Sequence, residues 1–115
     1  ILKAHMKAEL SITEMSTLRE SASKACSLLK VLANEDRLLI LCNLTQGERN
    51  VSEIEALVNI CQPTLSQQLT VLRQEGMVNT RRDGKYIYYS LASFEIIQIM
   101  QTMSKLYCGK LMGER

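Results

Sequence analysis

Two groups of residues in this chain can do chemistry. One is a set of four thiols, Cys26, Cys42, Cys61 and Cys108, whose sulfur can be oxidised, linked in pairs or bound to soft metals. The other begins at Gln62 and is uncharged from Pro63 to Leu72; Arg73, Arg81, Arg82 and Lys85 follow it, against only Glu75 and Asp83. Carboxamides and hydroxyls of the kind at Gln62, Thr64, Ser66, Gln67 and Thr70 can hydrogen-bond base edges in a DNA groove, and guanidinium and ammonium groups can neutralise phosphates. The one histidine, His5, stands near the N-terminal end, and there is no Cys-x-x-Cys. The body of the chain therefore lacks the base or paired thiol that a thiol enzyme would use, and no enzymatic activity is expected.

The elements that must position these groups are read from apolar spacing and capping residues. Ala22, Cys26, Leu29 and Leu32 recur at helical intervals in a helix read as Leu18 to Leu32, which makes Cys26 a packing residue. Asn34 suits the cap of a second helix, with Glu35 and Asp36 in its first turn; Leu38 to Leu44 are apolar almost all round, so this helix is expected at the buried centre. A third helix is expected to start at Ser52, on the Ser-x-x-Glu spacing of Ser52 and Glu55. A fourth begins at Pro63, turns Leu65, Leu69 and Leu72 to the core, leaves the polar residues outside, and ends at Gly76.

Met77 to Arg82 and Lys85 to Leu91 read as a hairpin about an Asp83-Gly84 type I′ turn. That turn pairs Arg82 with Lys85, Arg81 with Tyr86 and Thr80 with Ile87, and places Tyr86, Tyr88 and Arg81 on one face. A last helix runs from Phe94 to about Leu111, and its apolar stripe needs a partner surface.

A length of 115 residues fits one modest domain, expected over residues 17–112 behind a flexible segment 1–16. Although 46% of residues are apolar, no uninterrupted run approaches the roughly 18 that span a bilayer, so no membrane role is expected. Residues 1–6 show no signal-peptide core. A cytoplasmic location and reduced resting thiols follow as expectations. A net charge of +2 does not by itself argue for nucleic acid; the clustering does.

The order of parts, a capped short helix, a polar helix and a basic hairpin, suits a major-groove reader followed by a backbone-gripping wing. Residues 28–91 resemble the ArsR/SmtB family of winged-helix repressors. The resemblance is carried by Leu28-Leu29-Lys30-Val31-Leu32-Ala33-Asn34-Glu35-Asp36-Arg37, Gln62-Pro63-Thr64-Leu65-Ser66-Gln67-Gln68-Leu69, Leu72-Arg73-Gln74-Glu75-Gly76-Met77-Val78, and Asp83-Gly84-Lys85 with Tyr88-Tyr89-Ser90-Leu91. It implies a mainly α winged helix-turn-helix of about five helices with one hairpin wing. It also implies a homodimer paired through its first and last helices, and repression of transcription from double-stranded operator DNA until an inducer intervenes. Gln62, Thr64, Ser66, Gln67 and Thr70 would then read bases, while Arg81, Arg82 and Lys85 hold phosphates.

Many members of that family sense metals, but the pattern is absent at the expected positions. The arsenite-type Cys-Val-Cys is replaced by Asn50-Val51-Ser52, and Ser93 to Gly113 holds no His or Asp for a zinc-type site. No metal and no cofactor is expected. The family's sulfide- and persulfide-responsive branch carries one cysteine in each of the second and last helices, as Cys42 and Cys108 do here. The resemblance implies that reactive sulfur species or oxidants link these two and release DNA.

A disulfide needs Cα atoms within about 7 Å and would draw the two helices together. Its loop-entropy effect of ~4 kcal/mol exceeds the usual regulatory coupling of about 1–3 kcal/mol. By helical spacing Cys108 shares an edge with Ile97, Ser104 and Leu111. Two other readings stay open: Cys42 and Cys108 as inert thiols, and a thiolate metal-responsive repressor with a non-standard site. Cys61, just ahead of Gln62, ranks below the pair as a reactive position.

Overall fold

The computed structural model describes residues 11–107 and divides the chain into two units, residues 1–30 and 31–115. Among the described residues, the first unit is the larger part of one helix, α1 (Ile12–Leu32). It starts well before the expected Leu18, inside the stretch expected to be flexible. The cause is a capping box: the Ser11 Oγ accepts from the Glu14 N–H at 3.0 Å and the Glu14 carboxylate accepts from the Ser11 N–H at 2.8 Å. Ser-x-x-Glu at 11 to 14 was the available signal. Ile12, Met15, Leu18 and Leu29 are exposed on α1, and so is Cys26, which therefore does not pack within the single chain.

The second unit continues with α2 (Glu35–Leu44), β1 (Arg49–Asn50), α3 (Val51–Val58), α4 (Thr64–Gln74), β2 (Val78–Asp83), β3 (Tyr86–Leu91) and α5 (Phe94–Tyr107). Its core is built from the fully buried Ile40, Leu41, Ile54, Leu65, Leu69, Leu72 and Met100. Asn34 caps α2 as expected, accepting from the Arg37 N–H at 3.0 Å. The helix is not buried all round, however. Ile40, Leu41 and Leu44 face inward, Leu38 and Cys42 are half-buried, and Leu39 is 51% exposed.

The α3 cap lies two residues upstream of the expected Ser52. Asn50 accepts from the Glu53 N–H while the Glu53 carboxylate accepts from the Asn50 N–H, both at 2.9 Å. Asn is as good a cap as Ser, and starting at Val51 brings the buried Ile54 inward. Helix α4 ends in a Schellman motif: the Met77 N–H donates to Leu72 O at 2.8 Å and the Gly76 N–H to Arg73 O at 3.1 Å. Gly76 takes φ +74°, a left-handed conformation that costs glycine least, and Leu72 and Met77 are both buried across the motif.

The strands form one antiparallel sheet in the order β1-β3-β2. The two-residue β1, absent from the sequence reading, sets Arg49 opposite Tyr89 and Asn50 opposite Tyr88. The hairpin turn falls one residue later than expected, at Gly84-Lys85, so Asp83 pairs with Tyr86, Arg82 with Ile87 and Arg81 with Tyr88. Gly84 takes φ +65° and Lys85 does not turn positive, the φ pattern of a type II′ turn. No helix among the described residues is long and apolar enough to cross a membrane.

Candidate nucleic-acid interface and thiol groove

Because Leu65, Leu69 and Leu72 are buried, the rest of α4 is turned outward: Thr64, Ser66, Gln67, Thr70, Arg73 and Gln74 are all exposed. The helix starts at Thr64, one residue after the expected Pro63, and proline has no side chain to cap it. Gln62 does so instead. Its Oε1 accepts from the Ser66 N–H at 3.1 Å and the Ser66 Oγ at 2.7 Å. With that oxygen occupied, Gln62 can offer a base only its N–H donors. Gln67 keeps both amide atoms for a bidentate contact. Thr70 donates its hydroxyl to Ser66 O at 2.9 Å, and its oxygen still accepts.

A polar clip missed in the sequence ties α4 to the start of α2. The Arg37 Nε donates to Val31 O at 2.6 Å and its Nη1 to the Gln68 Oε1 at 3.2 Å, while the Gln68 Nε2 reaches the Asn34 Oδ1 at 3.3 Å. Gln68 is half-buried where its neighbours on α4 are exposed. The cap residue Asn34 therefore also fixes where the polar helix sits. Only the buried side of α4, between Leu65 and Leu69, hinted at this role.

The wing follows directly through Gly76. Arg82 and Lys85 are exposed, the first bonding Gly84 O at 3.3 Å and the second lying 5.5 Å from the centre of the Tyr86 ring. Arg81 is differently placed. Its fork grips Glu48 with Nε to Oε2 at 2.8 Å and Nη2 to Oε1 at 2.7 Å, its Nη1 lies 3.8 Å from the Asp83 Oδ2, and its guanidinium stacks 4.9 Å from the Tyr88 ring centre. The charge-assisted bonds from Arg81 hold the Glu48 carboxyl below its ordinary range, and the same bonds raise the Arg81 guanidinium. Glu48 had no role in the sequence reading, because only the true register brings Arg81 opposite Tyr88 and so across to β1.

Away from this surface, Cys42 lines an apolar groove of about 520 Å³ with Glu35, Leu38, Leu39, Met103 and Tyr107, between α2 and α5. Its Sγ lies 3.9 Å from the Oγ of the buried Ser104 on α5. Cys108 lies outside the described residues. Cys61 is exposed at the approach to α4. Among the described residues no three His, Cys, Asp or Glu side chains gather as metal ligands.

An exposed polar helix anchored by leucines, followed by a basic hairpin on a three-stranded sheet, defines a winged helix-turn-helix DNA-binding module. Residues 34–80 match the family described as bacterial regulatory protein, arsR family. The chain is 43% identical over 95 residues to the biofilm growth-associated repressor of Agrobacterium fabrum, covering 83% of this chain and 81% of that protein. It belongs to the arsR family of bacterial regulatory proteins.

The solved structure of reduced HlyU from Vibrio cholerae matches with a TM-score of 0.76 at 39% identity, over 80% of this chain and 97% of that one. A homodimeric winged helix-turn-helix DNA-binding domain from Mycobacterium bovis, a possible ArsR-family regulator solved by NMR, matches with a TM-score of 0.66 at 31% identity, over 90% and 93% of the two chains.

Proposed function

We propose that this protein is a homodimeric transcriptional repressor whose hold on operator DNA is released when Cys42 and Cys108 are linked. The observation that carries the DNA-binding part is α4, whose leucine face is buried and whose hydroxyl and amide face is open. Thr64, Ser66, Gln67 and Thr70, with the donors of Gln62, read bases, and Arg81, Arg82 and Lys85 hold the backbone. A two-fold dimer sets its two reading helices about one DNA turn apart, ~34–36 Å, so operator half-sites carry the same spacing. Repression is the role named for the Agrobacterium fabrum relative, and the homodimer is that of the Mycobacterium bovis domain.

The release step is supported by the contact of Cys42 with Ser104, because Cys108 comes four residues after Ser104 in the sequence, the interval that shares a face wherever a helix continues. A persulfide supplies the oxidising equivalent. The Cys42 thiolate takes the outer sulfur of R–S–SH and releases R–SH; the Cys108 thiolate then attacks the inner sulfur of the Cys42 persulfide and expels sulfide. Two cysteine thiols lose two electrons, and the persulfide is reduced to thiol and sulfide. The Vibrio cholerae relative, solved as reduced HlyU, accords with thiol chemistry in this group.

The test titrates operator DNA with wild type, Cys42→Ser and Cys108→Ser, each reduced and then treated with a persulfide donor. Release is expected in wild type alone. Equal release in both variants sinks the switch, and release of the reduced protein by added metal would favour a thiolate metal sensor instead.

A further inference from the structure

The bond between Glu48 and Arg81 has the geometry of a ligand complex. A guanidinium fork holding two carboxylate oxygens at 2.7 and 2.8 Å is the arrangement with which arginine also grips a phosphate. Both partners lie at the surface, with Arg81 53% and Glu48 35% exposed, so DNA can reach the pair. The backbone fixes them on one line. Arg81 on β2 stands opposite Tyr88 on β3, Tyr88 stands opposite Asn50 on β1, and Glu48 immediately precedes β1. Arg81 thus lies across the Tyr88 ring with its fork already filled.

We infer that Glu48 is a specificity-determining residue that occupies the fork of Arg81 in place of a DNA phosphate, so that the wing must exchange one for the other to engage the backbone. The inference rests on the DNA-binding reading above. Arg82 and Lys85 meet no carboxylate among the described residues and supply the standing attraction for any duplex. Arg81 contributes only where the docked wing brings a phosphate close enough to displace Glu48. Such an internal competitor weakens non-specific binding more than specific binding, and the ratio of the two is what decides where a regulator sits on a genome.

The experiment uses the full chain, reduced, with a mixed-sequence duplex three helical turns long, and follows the dissociation constant against salt for wild type, Glu48→Gln, Arg81→Ala and the double variant. Glu48→Gln should bind severalfold more tightly. Its log–log salt dependence should steepen by about 0.9, worth about 3.5-fold over a fourfold salt range, because one more phosphate is neutralised. In the Arg81→Ala background the same change should do nothing.

Unchanged affinity in Glu48→Gln, or a gain that survives in the double variant, overturns the exchange, the latter because it would reflect removal of a nearby negative charge alone. Circular dichroism with matching melting curves confirms that the four proteins share one fold. A wild type that binds no duplex at low salt overturns the DNA-binding reading along with the inference. Binding with no effect of Glu48→Gln overturns only the inference.

Discussion

Arg82, Lys85 and Gln67 are all exposed, yet their chemistry assigns them different work. The first two are cations at the hairpin tip that meet no carboxylate among the described residues, and a phosphate does not reveal which base it carries. Arg82→Ala or Lys85→Ala should therefore weaken binding to every sequence alike and flatten the log–log salt slope by about 0.9 per contact. Gln67→Ala should leave that slope in place and relax the preference at one base position, a loss of about 1–3 kcal/mol of discrimination. A competition assay against operator variants at two salt concentrations separates the two outcomes; a changed slope in Gln67→Ala would remove it from the base-reading set. At this scale the candidates were legible because charge and hydrogen-bonding capacity belong to residue type. The partners were not. Glu48 as the counter-ion of Arg81, Gln68 as a clip to Arg37, and Gln62 as the cap of α4 depend on which side chains the fold brings together.

Where sequence patterns were redundant, elements were legible. Helix α4 is marked by three leucines at helical spacing and a terminal glycine, and α2 by Asn34 ahead of two acids. Where two solutions shared the same residues, long-range contacts decided. Asp83-Gly84 and Gly84-Lys85 each offer a glycine to a two-residue turn, and the chosen register also places the buried Val78 opposite Leu91 and sets β3 beside β1. Caps competed in the same way. Ser52 with Glu55 and Asn50 with Glu53 both have capping-box spacing, and the second is formed. Asn50 is 8% exposed and its side chain is the one bonded at the helix start, so Asn50→Ala should cost about 1–2 kcal/mol of stability, whereas Ser52→Ala should be close to neutral. Urea unfolding of the two variants tests this, and equal midpoints would contradict the assigned cap. Because β1 leads straight into α3, loss of the cap should also loosen the strand that flanks the wing.

The whole molecule raises the question of what covers its apolar helices. Ile12, Met15, Leu18 and Leu29 are exposed on α1, from 46% for Met15 to 89% for Ile12, and Phe94, Leu106 and Tyr107 are exposed on α5. A protein of this size does not normally leave so much aliphatic and aromatic surface in water, and such patches mark association. The resemblance read from the sequence implies pairing of the first and last helices, which is where these residues lie. Leu18 and Leu29 both sit on α1, so a charge at each should abolish a dimer built on it. Burying a leucine is worth about 2 kcal/mol, and losing two in each copy removes about 8 kcal/mol, the whole free energy of a micromolar complex. Leu18→Asp/Leu29→Asp should therefore sediment as a monomer while keeping the helical content of wild type. It should also lose most of its operator affinity, since a single reading helix is left to engage one half-site. A variant that remains dimeric in sedimentation equilibrium would show that α1 does not hold the copies together and would shift the interface to α5. A monomer that still bound the full operator as tightly as wild type would instead show that two-fold reading contributes nothing to recognition.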